Sequence, residues 1–75
     1  MTRTVYHVTP VGDAWGVRRA RRKLADSVHV FKTDAIARAK RLAKAAALGQ
    51  VKVHGRNGRM QVEYTYREDP RSTRG

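Results

Sequence analysis

The chain has no cysteine and only two prolines among its 75 residues. Without thiols, disulfide scaffolds, Cys-ligated zinc, iron–sulfur clusters and thiolate nucleophiles are excluded. No apolar run approaches the roughly 18 residues of a membrane-spanning helix. The segment Met1 to His7 also lacks the basic start and apolar stretch of a signal peptide. A cytoplasmic location and no membrane partner are therefore expected. Acidic side chains are scarce: 6 Asp+Glu stand against 17 Lys+Arg, for a formal net charge of +11. Aromatics are few as well: Tyr6, Trp15, Phe31, Tyr64 and Tyr66.

Hydrophobic residues make up 40% of the chain. Modest hydrophobicity with high net charge is also the signature of disordered chains, so patterning has to decide, and it favours a fold. Val5 to Val11 alternates as a strand, with Tyr6 and Val8 opposite Val5, His7 and Thr9. Gly12-Asp13 is a turn signal, and Ala14 to Arg18 continues as a second strand with Trp15 and Val17 on one face. Ser27 to Phe31 reads as a third, brief strand. Thr33-Asp34 offers an N-cap and a first-turn acid, so a helix is expected from Asp34 to Leu48, stopped by Gly49. Its apolar stripe is Ala35, Ile36, Ala39, Leu42, Ala43 and Ala46, and Arg38, Lys40, Arg41 and Lys44 fall outside it. Gln50 to His54 and Met60 to Tyr66 alternate as two more strands around Asn57-Gly58, a strong hairpin signal.

The fold class expected is α+β: a small antiparallel sheet of four or five strands, in the order β-β-β-α-β-β, packed on one amphipathic helix. Residues 1–66 form a single domain in this reading, and residues 67–75 a flexible basic C-terminal tail. Trp15 with Phe31 is expected to anchor the core against the helix, and Tyr64 and Tyr66 to lie with Met60 and Val62 on its side. So small a domain has little core to spare, and a homodimer would bury more apolar surface per chain.

Three basic clusters are candidate anion-binding surfaces. Arg18, Arg19, Arg21, Arg22 and Lys23 lie within six residues, and such a run is expected as an exposed loop able to neutralise several phosphates. Twelve of the 17 basic residues are arginine, whose planar fork binds phosphate bidentately. The helix face of Arg38, Lys40, Arg41 and Lys44 is the second surface. No acid occurs between Ala35 and Val62, although a basic helix face is often only a solvated one. The third is the hairpin tip with Arg56 and Arg59, which could enter a groove as a β-ribbon or could simply keep the turn soluble. Stacking of single strands on the sheet is the weaker alternative, because the aromatics are needed in the core.

An enzyme is not expected. His7, His29 and His54 fall on three different strands with no metal-site spacing, and the one carboxylate pair worth naming is Glu63 with Asp69. No phosphate-binding loop, nucleophile elbow or dinucleotide fingerprint occurs. No catalytic residue, metal ligand or cofactor is therefore assigned.

Particular segments resemble a known family. They are Tyr6-His7-Val8, Trp15-Gly16-Val17, Thr33-Asp34-Ala35-Ile36 and, best of all, Val53 to Gln61 followed by Glu63-Tyr64-Thr65-Tyr66 and Asp69-Pro70. Together they resemble the domain-of-unknown-function 2188 family of small bacterial and phage proteins. The resemblance implies a compact α+β domain and carries no established activity. Arg18 to Lys23 is where departure from the family is expected, since its members usually hold a more mixed, Gly- and Ser-containing stretch there.

The functional expectation is sequence-tolerant binding of double-stranded DNA through phosphate contacts from the Arg-rich loop, with DNA favoured over RNA and a nucleoid association to match. The alternative is a protein-interaction module, a host- or phage-directed regulator or inhibitor, that binds an acidic protein.

Overall fold

The computed structural model describes residues 3–67. Five strands and one helix follow in the order β1 (Thr4–Val11), β2 (Ala14–Arg19), β3 (Ser27–His29), α1 (Lys32–Ala45), β4 (Leu48–His54) and β5 (Met60–Arg67). They form one α+β layer pair, a sheet ordered β3-β2-β1-β4-β5 with the helix on one face. The two turn signals close the hairpins expected of them. Val11 pairs with Ala14 across Gly12-Asp13, and β4 pairs antiparallel with β5 across the Asn57-Gly58 turn. Gly12 and Gly58 supply the positive φ angles, 59° and 86°, that these turns require.

The sheet is mixed rather than antiparallel throughout. β4 runs parallel to β1, with Tyr6 opposite Val51 and Val8 opposite Val53. A parallel partner needs a crossover connection, and α1 supplies it by carrying the chain over the sheet from the β3 edge to the middle.

The helix also departs from expectation at both ends. It begins at Lys32, with Phe31 at the N-cap and no side-chain cap bond, so Thr33 lies inside the first turn. Asp34 does sit in that turn, where the helix dipole favours an acid. At the other end Ala45 is the last helical residue, and Leu48 and Gly49 already belong to β4. Gly49 is needed for a different reason: a Cβ there would collide with the carbonyl of Ala43, because the last turn of α1 rests directly on the strand.

The core is small and built from small residues. Val8, Val17, Val51 and Val53 are buried beneath Ala35, Ala39 and Ala43, whose short side chains let the helix approach the sheet closely. Trp15 closes one end, and Tyr6, Ile36, Leu42, Tyr64 and Tyr66 pack around the rim. Phe31 does not join them; it is 65% exposed, because β3 ends at His29 and leaves the residue outside the sheet.

By strand alternation, Val5, His7, Thr9, Arg18, Val28, Gln50, Lys52, His54, Glu63 and Thr65 face away from the helix. Arg18, His7, Lys52 and Glu63 form one row across four strands of this open face. All five aromatic residues lie elsewhere, so the face offers no aromatic platform for stacked bases. The tail expected at residues 67–75 lies, beyond the backbone of Arg67, outside the described residues.

Candidate nucleic-acid interface

The densest cluster of cations divides between strand and loop. Arg18 and Arg19 are the last residues of β2, so only Arg21, Arg22 and Lys23 belong to the loop proper. Alternation sends their side chains apart, Arg18 to the open face opposite His7 and Arg19 to the helix side opposite Tyr6. The loop is tied down by its backbone. The Ala20 amide donates to the Val5 carbonyl at 2.8 Å, Arg22 donates to Arg19 at 3.1 Å, and Asp26 donates to Val17 at 2.6 Å. The Arg18 guanidinium adds a bond to the Arg22 carbonyl at 2.9 Å. Arg21 takes a φ of 74°, a conformation that costs a non-glycine residue roughly 1 kcal/mol.

This bracing shapes a half-open cleft of about 660 Å³, lined by Arg19, Arg21, Arg22 and Lys23 together with Tyr6 and Leu24. Asp26 is the acid on its wall, and its carboxylate is engaged by Arg38, 3.2 Å away. That is the one ion pair among the described residues. The four cations of the cleft therefore have no acidic partner among the described residues, which is the electrostatic condition for binding an anion.

The helix cations do not form one surface. Arg38 is drawn to the β3 side by Asp26, whereas Lys40 and Lys44 turn to the β5 side, 4.1 Å and 5.5 Å from the ring centres of Tyr64 and Tyr66. Arg41 projects from the exposed back of the helix. Successive residues of a helix are 100° apart, which separates positions 38 and 40 onto opposite flanks of the buried stripe.

The hairpin tip is divided too. Arg56 bonds to the carbonyls of Gly12 at 3.0 Å and Asp13 at 3.3 Å, so it ties the tip of one hairpin to the turn of the other. Its guanidinium also lies 4.9 Å from the ring centre of Trp15, and the Lys32 ammonium lies 4.8 Å from the same ring. Arg59 is exposed; its amide bonds the Asn57 side chain at 3.0 Å within the turn. Of the two tip arginines, Arg59 is the one left for a ligand.

The structure joins two residues that the sequence separates. Parallel pairing of β1 with β4 brings His7 Nδ1 within 3.1 Å of His54 Nε2. The His54 ring also meets the Gly58 carbonyl at 3.3 Å. Burial holds the His7 pKa below the usual histidine range, and the neighbouring His54, Arg18 and Lys52 push it the same way. His29 remains apart, bonded to the Ser27 hydroxyl at 2.9 Å. Asp69, the expected companion of Glu63, lies outside the described residues. The Glu63 carboxylate accepts instead from the buried Gln50 amide. Among the described residues no three potential metal ligands converge, and no helix is long and apolar enough to cross a membrane.

No curated protein and no solved structure matches the chain. The profile of the family described as "Uncharacterized protein conserved in bacteria (DUF2188)" matches residues 6–66. That span runs from the first strand to the end of the last, taking in the cleft and both hairpins, and the chain belongs to this family.

Proposed function

We propose that the protein binds nucleic acid, double-stranded DNA in preference, by gripping phosphates with little regard to base sequence. One observation carries this reading: Arg19, Arg21, Arg22 and Lys23 converge on a single braced cleft whose only acid among the described residues is already paired with Arg38. Three guanidiniums and an ammonium at one site can replace several condensed counterions, and their release drives association. Arg41 and Arg59 are exposed cations that could extend the contact. Arg38 and Arg56 are committed within the fold and contribute to the field alone. Base readout is not a part of the reading, because the aromatics serve the core or lie away from the open face.

A second reading is an interaction module for an acidic protein. Leu24 favours it: a leucine 84% exposed on the rim of a basic cleft gives a protein partner an apolar contact that a phosphate backbone cannot use. Capture from lysate with and without nuclease separates the two. Partners that disappear on nuclease treatment support the nucleic-acid reading, and an acidic protein retained through it supports the second.

A further inference from the structure

We propose that the outer edge of β5 pairs with the same edge of a second copy of the chain, making a two-fold dimer with one continuous sheet. Among the described residues the sheet ends in two edges, the three-residue β3 and the eight-residue β5. Long edges are usually blunted by lysine, proline or a bulge; β5, MQVEYTYR, has no lysine or proline, and its one irregularity lies at its start, opposite Val53 and His54. Val62 is 40% exposed on its helix side, in line with Tyr64 and Tyr66, and Met60, 52% exposed, pairs with His54 beyond a register shift. Residues 60–66 carry one charge, Glu63, in a chain of net charge +11. The strand itself thus brings little charge to the contact, while Lys40 and Lys44 lie over Tyr64 and Tyr66 on the helix side.

The strand selects its own register. In an antiparallel pair about a two-fold axis perpendicular to the sheet, facing residues must come from the same face, so the axis passes through a residue position. An axis at Glu63 would set two carboxylates opposite each other, which is destabilising. An axis at Thr65 would pair residues 63–67 and leave the exposed Val62 facing no residue of the strand. An axis at Tyr64 keeps Val62 in the paired run, which spans residues 62–66 because the register shift interrupts the strand at Gln61. It sets Tyr64 against Tyr64, Val62 against Tyr66, and Glu63 against the uncharged Thr65 of the second copy.

This register has a consequence for the basic cleft that rests on the nucleic-acid reading, as the dimer itself does not. Arg19, Tyr6, Val51 and Tyr64 form one row across four strands. An axis at Tyr64 continues that row into the second copy, so the two Arg19 positions are seven strand steps apart. At about 4.8 Å per step they are separated by about 34 Å, the spacing of successive major grooves on one side of B-DNA. The two-fold axis also carries both clefts to the same side of the dimer.

The test is sedimentation equilibrium on the full chain and on Thr65→Glu and Thr65→Lys. Thr65 is exposed, and in the proposed register it faces Glu63 of the second copy. The wild type is expected to dimerise. Thr65→Glu should weaken the dimer about tenfold and Thr65→Lys should tighten it, since the two symmetric pairs change by up to about 1 kcal/mol each. Adding Glu63→Lys to Thr65→Glu should restore the dimer. A wild type that stays monomeric, or charge variants that shift in the same direction, would overturn the proposal. If Thr65→Glu fails to fold by circular dichroism, Thr65→Lys decides alone, and no tightening counts against the dimer. A dimer that ignores duplex DNA would sink the nucleic-acid reading and leave the dimer standing; a monomer that binds DNA would do the reverse.

Discussion

Arg56 lies over Trp15, its guanidinium carbon 4.9 Å from the ring centre, while its nitrogens hold the carbonyls of Gly12 and Asp13. The chain thus spends one of its most conspicuous hairpin-tip cations on joining two hairpins that are 43 and 44 residues apart in sequence. Replacing Arg56 with Ala removes two hydrogen bonds to backbone and a cation–π contact. A loss of about 1–2 kcal/mol is expected in denaturant unfolding. Arg56→Lys should recover only part of it, since an ammonium cannot reproduce the fork. The salt slope of DNA binding should barely change. A variant with wild-type stability and weakened binding would return Arg56 to the ligand surface.

Gly49 and Gly12 should answer differently to alanine. At Gly49 the new methyl would meet the Ala43 carbonyl in the last turn of the helix, so helix and strand must separate. The expected cost is about 3 kcal/mol or more, large for a domain of this size. At Gly12 the space is empty and the φ of 59° is the sole obstacle, for a cost of roughly 1 kcal/mol. Thermal melts of the two variants compare them directly, and equal losses would contradict the close helix–strand approach.

Acid should weaken the fold through His7. Its folded-state pKa lies below the usual value, first because of burial and then because of His54, Arg18 and Lys52. The unfolded chain consequently binds the proton more readily. His7 contributes stability that is present above about pH 6.5 and is lost as pH falls through the lower folded value. Denaturant midpoints measured from pH 8 to pH 5 should decline on the acid side, and His7→Gln should flatten that decline. Stability that rose on acidification would contradict the sign of the shift.

Much of the fold is legible locally. The alanine stripe of the helix, the Gly12-Asp13 turn and the Asn57-Gly58 turn each announce an element through the spacing of a few neighbouring residues. The parallel pairing of β1 with β4 has no such signal, because it depends on where the crossover lands. The His7–His54 approach depends on that pairing and is hidden with it. Phe31 misleads because its size suggests core, whereas β3 ends two residues earlier. Arg56 and Arg38 are spelled like ligand-binding cations, and only long-range geometry shows that Asp26 and the first turn already hold them. The Arg18 to Lys23 run is legible as a cluster, but its division between two sides of the sheet follows from Arg18 and Arg19 belonging to β2. Strand alternation extended through Arg19 is the signal that reveals this division.

The most direct test of the central claim is a titration of duplex DNA across a range of salt concentrations, comparing the wild type with a variant carrying Ser at Arg19, Arg21, Arg22 and Lys23. The account predicts a steep fall of log affinity with log salt for the wild type. It predicts a slope shallower by about 0.9 for each phosphate that the variant no longer neutralises, with far-UV circular dichroism unchanged. Equal slopes for the two proteins, or no binding by the wild type at low salt, would contradict it.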